Sequence, residues 1–257
     1  MSAEPGAALA AQQITYVGHA TVLLELDGVR LLTDPILRRR VVHLSHRQRL
    51  EPACWQGIDA VLISHLHWDH LDWPSLRRLG EQTRLIVPQG SGGYFWRHGF
   101  RNVKELRPGE ETPVGPVLVR GTMAVHDNGR YPTGPTATPL GYLISGRNTV
   151  YFAGDTDIFP GMADLSDKLD VALLPVWGWG PTLGSGHLTP DRAALALTLL
   201  RPKVAIPIHW GALHPMGMGW LKPAFLTRPP LLFAEQAARL APEVETHILP
   251  LGKTWAF

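Results

Sequence analysis

The stretch Val61-Leu62-Ile63-Ser64-His65-Leu66-His67-Trp68-Asp69-His70 limits what this chain can fold into more than any other. Ala60 to Ile63 is an apolar run of strand length, so it reads as a short buried strand. Three imidazoles and a carboxylate follow within six residues. Such a group of polar, titratable side chains at a buried strand end is costly unless something satisfies it, and a pair of metal ions does so. His65 and His67 are two apart, so on extended backbone they point the same way and clamp one ion through imidazole nitrogen. Asp69 and His70 lie past the bend and point at a second ion. Imidazole plus carboxylate oxygen without thiolate suits Zn, Mn or Fe. The plain alternative is a histidine-rich surface loop. The H-x-H-x-D-H spacing behind an apolar strand is far more specific than a lone His pair.

Composition narrows the function classes. At 257 residues and 45% hydrophobic content the chain fits one large globular domain or two fused halves. Its 24 basic and 22 acidic side chains leave a net charge of +2, which gives no nucleic-acid signal. The single Cys54 excludes an internal disulfide framework and fits a reducing, cytoplasmic location. Any metal chemistry then falls to the twelve histidines and the aspartates. No apolar run approaches the ~18 residues of a membrane span. The opening MSAEPGAALAAQQ lacks a basic start and a strongly apolar centre, so residues 1–13 read as a flexible leader before a single domain over 14–257.

The rest of the chain repeats one theme, a strand that ends in a ligand-type side chain. Ile14 to Val17 leads to Gly18-His19-Ala20, where a single His reads as structural. Thr21 to Leu26 and Val29 to Thr33 flank Asp27-Gly28, a two-residue hairpin turn. Asp34 follows before Pro35, either as a turn cap or as an acceptor that orients a ligand imidazole. A basic stretch comes next: Arg38, Arg39, Arg40, His43, His46, Arg47 and Arg49. It is a solvated loop or a cover over the pocket that holds an anion such as phosphate.

Past the His cluster, Pro74 to Leu79 reads as a helix start and Arg84 to Val87 as a strand. Tyr94 to His98 reads as a short helix closed by Gly99. Alternating apolar residues from Val114 to Val125 predict a strand that ends at His126, and 127–139 is a loop. Tyr142 to Ser145 and Thr149 to Ala153 form a hairpin leading into Gly154-Asp155, where a carboxylate is placed to bridge two ions. Val171 to Leu174 is a buried strand. His187 precedes a helix with Thr189 as N-cap and Pro190 at its first position. Val204 to Ile208 runs into His209. Leu231 to Leu240 is a helix, and His247 to Leu251 and Thr254 to Phe257 close the chain as strands. The pattern predicts an α/β fold, a four-layer αββα sandwich of two mixed β-sheets flanked by helices, with the site at one sheet edge.

These motifs carry a resemblance. The segments GHATVLLELDGVRLLTDPIL, DAVLISHLHWDHLD, GYLI with YFAGDTD, GHLTPDRA and IPIHWG are similar to the metallo-β-lactamase-fold hydrolases. The nearest branch holds N-acyl phosphatidylethanolamine-hydrolysing phospholipase D and the L-ascorbate 6-phosphate lactonases, and the likeness runs from Ile14 to Phe257. It implies a binuclear site. His65, His67 and His126 would hold one ion, Asp69, His70 and His209 the second, and Asp155 would bridge them. His187 matches a substrate-facing histidine of that branch.

The expected activity is metal-dependent hydrolysis, with a metal-bridging hydroxide as nucleophile. Asp69, Asp155 and His187 are the candidate catalytic residues. Two divalent ions, zinc first and manganese or iron next, are the expected cofactors. A small phosphodiester or other phosphate-bearing ester is the first substrate class. A lactone or carboxylic ester is the alternative, and a non-catalytic metal-binding module is the alternative of a different class. Arg38, Arg39, Arg40, Arg47, Trp177 and Trp179 are candidate substrate contacts, the tryptophans as walls for an apolar group. No nucleic acid is expected as partner, and a homo-oligomer is compatible with the sequence. A flavin-linked di-iron enzyme resembles H-x-E-x-D, whereas position 67 is His.

Overall fold

A computed structural model describes residues 11–48, 50–130, 134–221 and 223–257. The first half contains β1 (Gln13–Gly18), β2 (Thr21–Leu26), β3 (Val29–Thr33), β4 (Arg40–Val41), β5 (Leu44–His46), β6 (Ala60–Leu62), α1 (Trp73–Leu79), β7 (Leu85–Pro88), α2 (Gly92–Arg97) and β8 (Val103–Leu106). The second half contains β9 (Glu111–Val114), β10 (Val117–Met123), β11 (Leu140–Ser145), β12 (Thr149–Phe152), β13 (Val171–Pro175), α3 (Pro190–Leu200), β14 (Val204–Ile208), β15 (Leu213–Pro215), α4 (Arg228–Leu240), β16 (Glu245–Thr246) and β17 (Lys253–Ala256).

The strands form two seven-stranded sheets built on one plan. The first has the order β17-β1-β2-β3-β6-β7-β8 and the second β16-β14-β13-β12-β11-β10-β9. In the first, β1 to β3 are antiparallel and β3, β6, β7 and β8 run parallel. In the second, β9 to β12 are antiparallel and β12, β13, β14 and β16 run parallel. Strands such as VALLP and VAIPI, continuously apolar and buried throughout, suit parallel positions covered on both faces. Tyr16, Leu24 and Leu62 of the first sheet meet Tyr142, Ile144 and Phe152 of the second in one core cluster. The outer face of the first sheet packs Leu23, Val61 and Ile63 against Leu76 of α1 and Phe95 of α2. Ala193 and Leu197 of α3 with Phe233 and Ala237 of α4 belong to the core on the second sheet's side. The layers are therefore α, β, β, α, as the sequence predicts.

Local chemistry explains most element bounds. Asp27 and Gly28 both take positive φ, 50° and 82°, as a two-residue hairpin turn requires. Asp72 caps α1 by accepting from the Ser75 amide, and Thr189 caps α3 by accepting from the Arg192 amide.

Four expectations are corrected. The single strand predicted from Val114 to Val125 is two strands that turn at Gly115 (φ 54°) and Pro116. Alternation survives because both strands face the same core. The strand predicted over His247 to Leu251 does not form; only Glu245 and Thr246 pair with β14, and the chain then turns toward Gly252. The basic stretch is no loose loop: β4 and β5 form a hairpin that pairs with β15 in a third, three-stranded sheet. At the end of the expected leader, Gln12 is buried, donates to Asp27 at 2.7 Å, and Gln13 already pairs in β1. Residues 1–10 of that leader, Arg49 and residues 131–133 of the 127–139 loop lie outside the described residues.

Candidate metal centre

Six strand ends converge on one edge of the sandwich. His19 follows β1, Asp34 follows β3, His65 follows β6, His126 follows β10, Asp155 follows β12 and His209 follows β14. The loop after β6 adds His67, Asp69 and His70, and the segment before α3 adds His187. All are buried or half-buried.

The donor atoms fall into two groups. His65 Nε2 and His126 Nε2 each lie 3.0 Å from His67 Nδ1. His70 Nε2 lies 3.1 Å from His209 Nε2, and these stand 3.7 and 3.9 Å from Asp69 Oδ2. A triangle with those edges has a centre about 2.1 Å from every corner, the length of a metal–nitrogen or metal–carboxylate bond. Asp155 stands between the groups. Its Oδ1 is 3.2 Å from His209 Nε2, and its Oδ2 is 3.2 Å from His70 Nε2 and 4.0 Å from His126 Nε2. Asp155 Oδ1 is fully buried with no hydrogen-bond partner among the described residues, an arrangement costly for a carboxylate oxygen unless a cation faces it. The set is all nitrogen and oxygen, and it fits divalent first-row ions.

Outer contacts aim these donors inward. His126 Nδ1 donates to the Gly186 carbonyl at 2.8 Å and His209 Nδ1 to the Trp177 carbonyl at 2.6 Å, so each Nε2 keeps its lone pair for the site. Asp34 orients one ligand of each group. It accepts from His70 Nδ1 at 2.8 Å, and it accepts from Ser64 Oγ, which in turn accepts from His65 Nδ1 at 2.9 Å. Of the two sequence readings of Asp34, the orienting one matches these contacts. His19, read from sequence as structural, sits inside the second group. Its Nε2 is 2.9 Å from Asp69 Oδ2, its ring centroid is 3.7 Å from that of His209, and its carbonyl accepts the His209 amide. His19, Asp34 and His209 all have positive φ, 58°, 34° and 63°, strain that the packed surroundings hold in place at the site.

Burial and charge set the protonation states. Burial holds His65 and His209 well below the ordinary imidazole value. Burial pushes Asp155 up, but the imidazoles of His209 and His70 outweigh it and hold the carboxyl well below the usual range. Burial pushes His70 down, and Asp155 and Asp69 reverse that and hold it well above. His187 follows the same pattern more mildly: burial lowers it, and contact with Asp155 at 3.4 Å leaves it raised.

A cavity of about 280 Å³ opens onto Asp69, Asp155, His67 and His187. Its other walls are Val41, Val42, His43, Leu44, Trp68 and Trp179. Of the expected substrate contacts only Trp179 lines it, edge-on to His43 at 5.1 Å. Trp177 donates to the Gly180 carbonyl and packs on the core. Arg38 is bound bidentately to Asp72, at 2.9 and 2.7 Å. Arg39 and Arg40 lie on the opposite side of the β4–β5 hairpin, and Arg47 reaches the Gly211 carbonyl. The alternation of the hairpin explains the difference: it turns Val41 and Leu44 inward and Arg40 outward.

The description "Beta-lactamase superfamily domain" belongs to the family model that matches residues 29–210. The chain is 31% identical over 251 residues to a UPF0173 metal-dependent hydrolase of Methanopyrus kandleri, covering 95% of this chain and 99% of that protein. It is 30% identical over 230 residues to N-acyl-phosphatidylethanolamine-hydrolyzing phospholipase D 1 of Caenorhabditis elegans, covering 79% of this chain and 64% of that protein. It spans 61% of the length of the uncharacterized mycobacterial relatives that it matches at 31% identity. In structure it is similar to Igni18, described as a metallo hydrolase from Ignicoccus hospitalis, with a TM-score of 0.75, 24% identity, and 96% and 99% of the two chains covered. Among the described residues no helix is long and apolar enough to cross a membrane.

Proposed function

Because this chain belongs to the β-lactamase superfamily, as one of its metal-dependent hydrolases with the metallo-β-lactamase fold, we propose that it cleaves an ester bond at a binuclear centre. The observation that carries the reading is the buried carboxylate of Asp155, with both oxygens 3.2 Å from the His70 and His209 group and Oδ2 also 4.0 Å from His126 of the other. His65, His67 and His126 would hold one cation, Asp69, His70 and His209 a second, and Asp155 would touch both. Zinc suits the set best, and manganese and iron fit the same donors. Cations held there would supply Lewis acidity and would make an attacking water more acidic.

The remaining roles fall to the chain. His187 presents Nε2 to the cavity, because its Nδ1 donates to the Ser185 carbonyl at 3.1 Å. Raised by Asp155, it carries a proton more readily than a free imidazole and binds the oxygen on which negative charge develops. Asp69 also borders the cavity, with His19 behind it at 2.9 Å. Burial raises its carboxyl, but His70 and His19 outweigh that and keep it ionised, so it takes a proton from the attacking water and passes it to the leaving oxygen. Val41, Val42, Leu44, Trp68 and Trp179 offer room for an apolar substituent.

The substrate class proposed first is a small phosphodiester. The likeness to a phospholipase D supports it, and so do the apolar walls beside the donor groups. A lactone or carboxylic ester is the second reading, favoured by a specific observation: no Arg or Lys is among the described residues that line the cavity. The full chain, loaded in turn with zinc, manganese and iron, is assayed on bis-p-nitrophenyl phosphate, p-nitrophenyl butyrate and γ-lactones. Chelator-sensitive turnover of the diester supports the first reading, and turnover of only the carboxylic esters or lactones supports the second. Tight metal with no turnover on any of them makes the chain a metal-holding module instead.

A further inference from the structure

We propose that Arg130 is a positioning residue that holds Trp68 as the substrate-facing wall and fixes the loop that carries His67, Asp69 and His70. Arg130 is 2% exposed, and it is the largest fully buried side chain among the described residues. Its Nη1 donates to the carbonyls of both Leu66 and Leu71. Those two carbonyls bracket the residues from Leu66 to Leu71, so a single guanidinium spans the loop. Its plane also lies against the Trp68 ring, with Cζ 3.8 Å from the ring centroid. Trp68 in turn lines the cavity, although 43% of it is exposed.

The clamp comes from the other half of the chain. Arg130 sits four residues past His126, in a segment anchored by a bridge between Gly129 and Thr136 and by Ala137 donating to the Asn128 carbonyl. Ala137 is packed into the outer cluster of the first sheet. One side chain therefore ties the segment leaving His126 to the loop of the other sheet. A buried cation is expensive to keep without hydrogen bonds or charge partners. Its position is explained by the flat fork of a guanidinium, which donates to two carbonyls and stacks on an indole together. Lysine keeps the charge but, as a compact ammonium, does not reach both carbonyls and lay a flat face on the indole at the same time.

The kinetic part of the test rests on the hydrolase reading; the spectroscopic part does not. Arg130→Lys, Trp68→Leu and the double variant are compared with the parent for KM, kcat, bound zinc and fluorescence. Each single variant is expected to raise KM for an ester with an apolar substituent about tenfold; bound zinc stays parental in Trp68→Leu and falls in Arg130→Lys, where the hold on the ligand-bearing loop is weakened. The double variant is expected to show no more than the larger single effect, because both changes remove one wall. The Trp68 emission, read as parent minus Trp68→Phe, is expected to shift when the same subtraction is made in the Arg130→Lys background. A parental KM in Arg130→Lys, or single effects that multiply in the double variant, overturns the proposal. An unchanged Trp68 spectrum also overturns it, even if the parent hydrolyses no ester. Absence of turnover in the parent alone instead removes the hydrolase reading and leaves the spectral test standing. Arg130→Lys is the variant used because it retains the charge and a donor for the Leu66 and Leu71 carbonyls, which an apolar replacement would leave without one.

Discussion

Asp155 has one oxygen 3.2 Å from His209 and the other 3.2 Å from His70 and 4.0 Å from His126. Replacing it leaves the two donor groups without the negative charge between them. Asp155→Ala is therefore expected to lose metal and turnover together, read as zinc bound per chain beside kcat. His187 stands beside His126 and Asp155 and lines the cavity, and on the reading above it serves the substrate and not a cation. His187→Ala is expected to keep parental zinc while kcat falls about 10²- to 10⁴-fold, the range for a removed acid–base group. Parental activity in Asp155→Ala would end the bridging role. Asp34 contacts no donor group's centre yet orients His70 directly and His65 through Ser64. Asp34→Ala is expected to weaken zinc binding about 10- to 100-fold, measured by chelator competition. These residues differ in how far the sequence exposes them. His65, His126, Asp155 and His209 are legible because each follows an apolar run that marks where a strand stops, and His67 because it lies two residues past His65. His19 is missed because one histidine at a strand end has no pattern. Its partner Asp69 lies fifty residues on, and only the fold brings them to 2.9 Å. Arg38 misleads for a similar reason, since its partner Asp72 lies thirty-four residues away.

At the scale of elements, the long strands and α3 are readable from apolar runs and cap residues, and the small third sheet is not. Its strands hold two or three residues, too few to show a period of two. That sheet nevertheless decides which face of the basic hairpin meets the cavity. It turns Val41 and Leu44 inward, and Arg40 is left off the cavity wall. The strap before α3 is a second element with two duties. Gly186 accepts from His126 Nδ1 and precedes His187 in the chain. Its φ is +73°, and a Cβ added there would meet His126 Cα at 3.2 Å. Gly186→Ala therefore costs about 1–2 kcal/mol for the left-handed backbone alone. It also pushes on the backbone that carries a donor. The expected outcome is a lower Tm together with reduced zinc affinity, whereas Thr189→Ala, three residues on, is expected to lower stability by about 1 kcal/mol through its lost cap and leave zinc affinity unchanged. Equal zinc affinity in both variants would show that the strap does not orient His126.

At the scale of the whole molecule, two similar half-structures pack face to face, and each supplies donors to both groups. Metal binding is thereby coupled to the joining of the sheets. A bound ion stabilises the folded chain by about 2.7 kcal/mol when free metal stands at a hundred times its dissociation constant. The pH dependence of that gain follows from the imidazoles. Burial depresses His65, His67, His126 and His209, and it depresses His46 to about 4, against an ordinary value of 6.5. An unfolded chain then binds more protons than the folded one below 6.5, so the metal-free protein loses stability as pH falls from 6.5 toward about 4. His70 and His187 have the opposite sign: they are raised, their contribution is full below 6.5, and it is lost as pH rises through their folded values. The depressed histidines outnumber them, so the net slope below 6.5 is destabilising. Metal competes with protons at His70, the proposed ligand that the folded metal-free chain keeps protonated well above 6.5, so metal affinity falls as pH drops. The Tm difference between the zinc-loaded and metal-free chain is therefore expected to shrink steadily from pH 7.5 to pH 5. Calorimetric scans of both forms at each pH measure it. A gap independent of pH would mean that the stabilising ion is not held by these imidazoles.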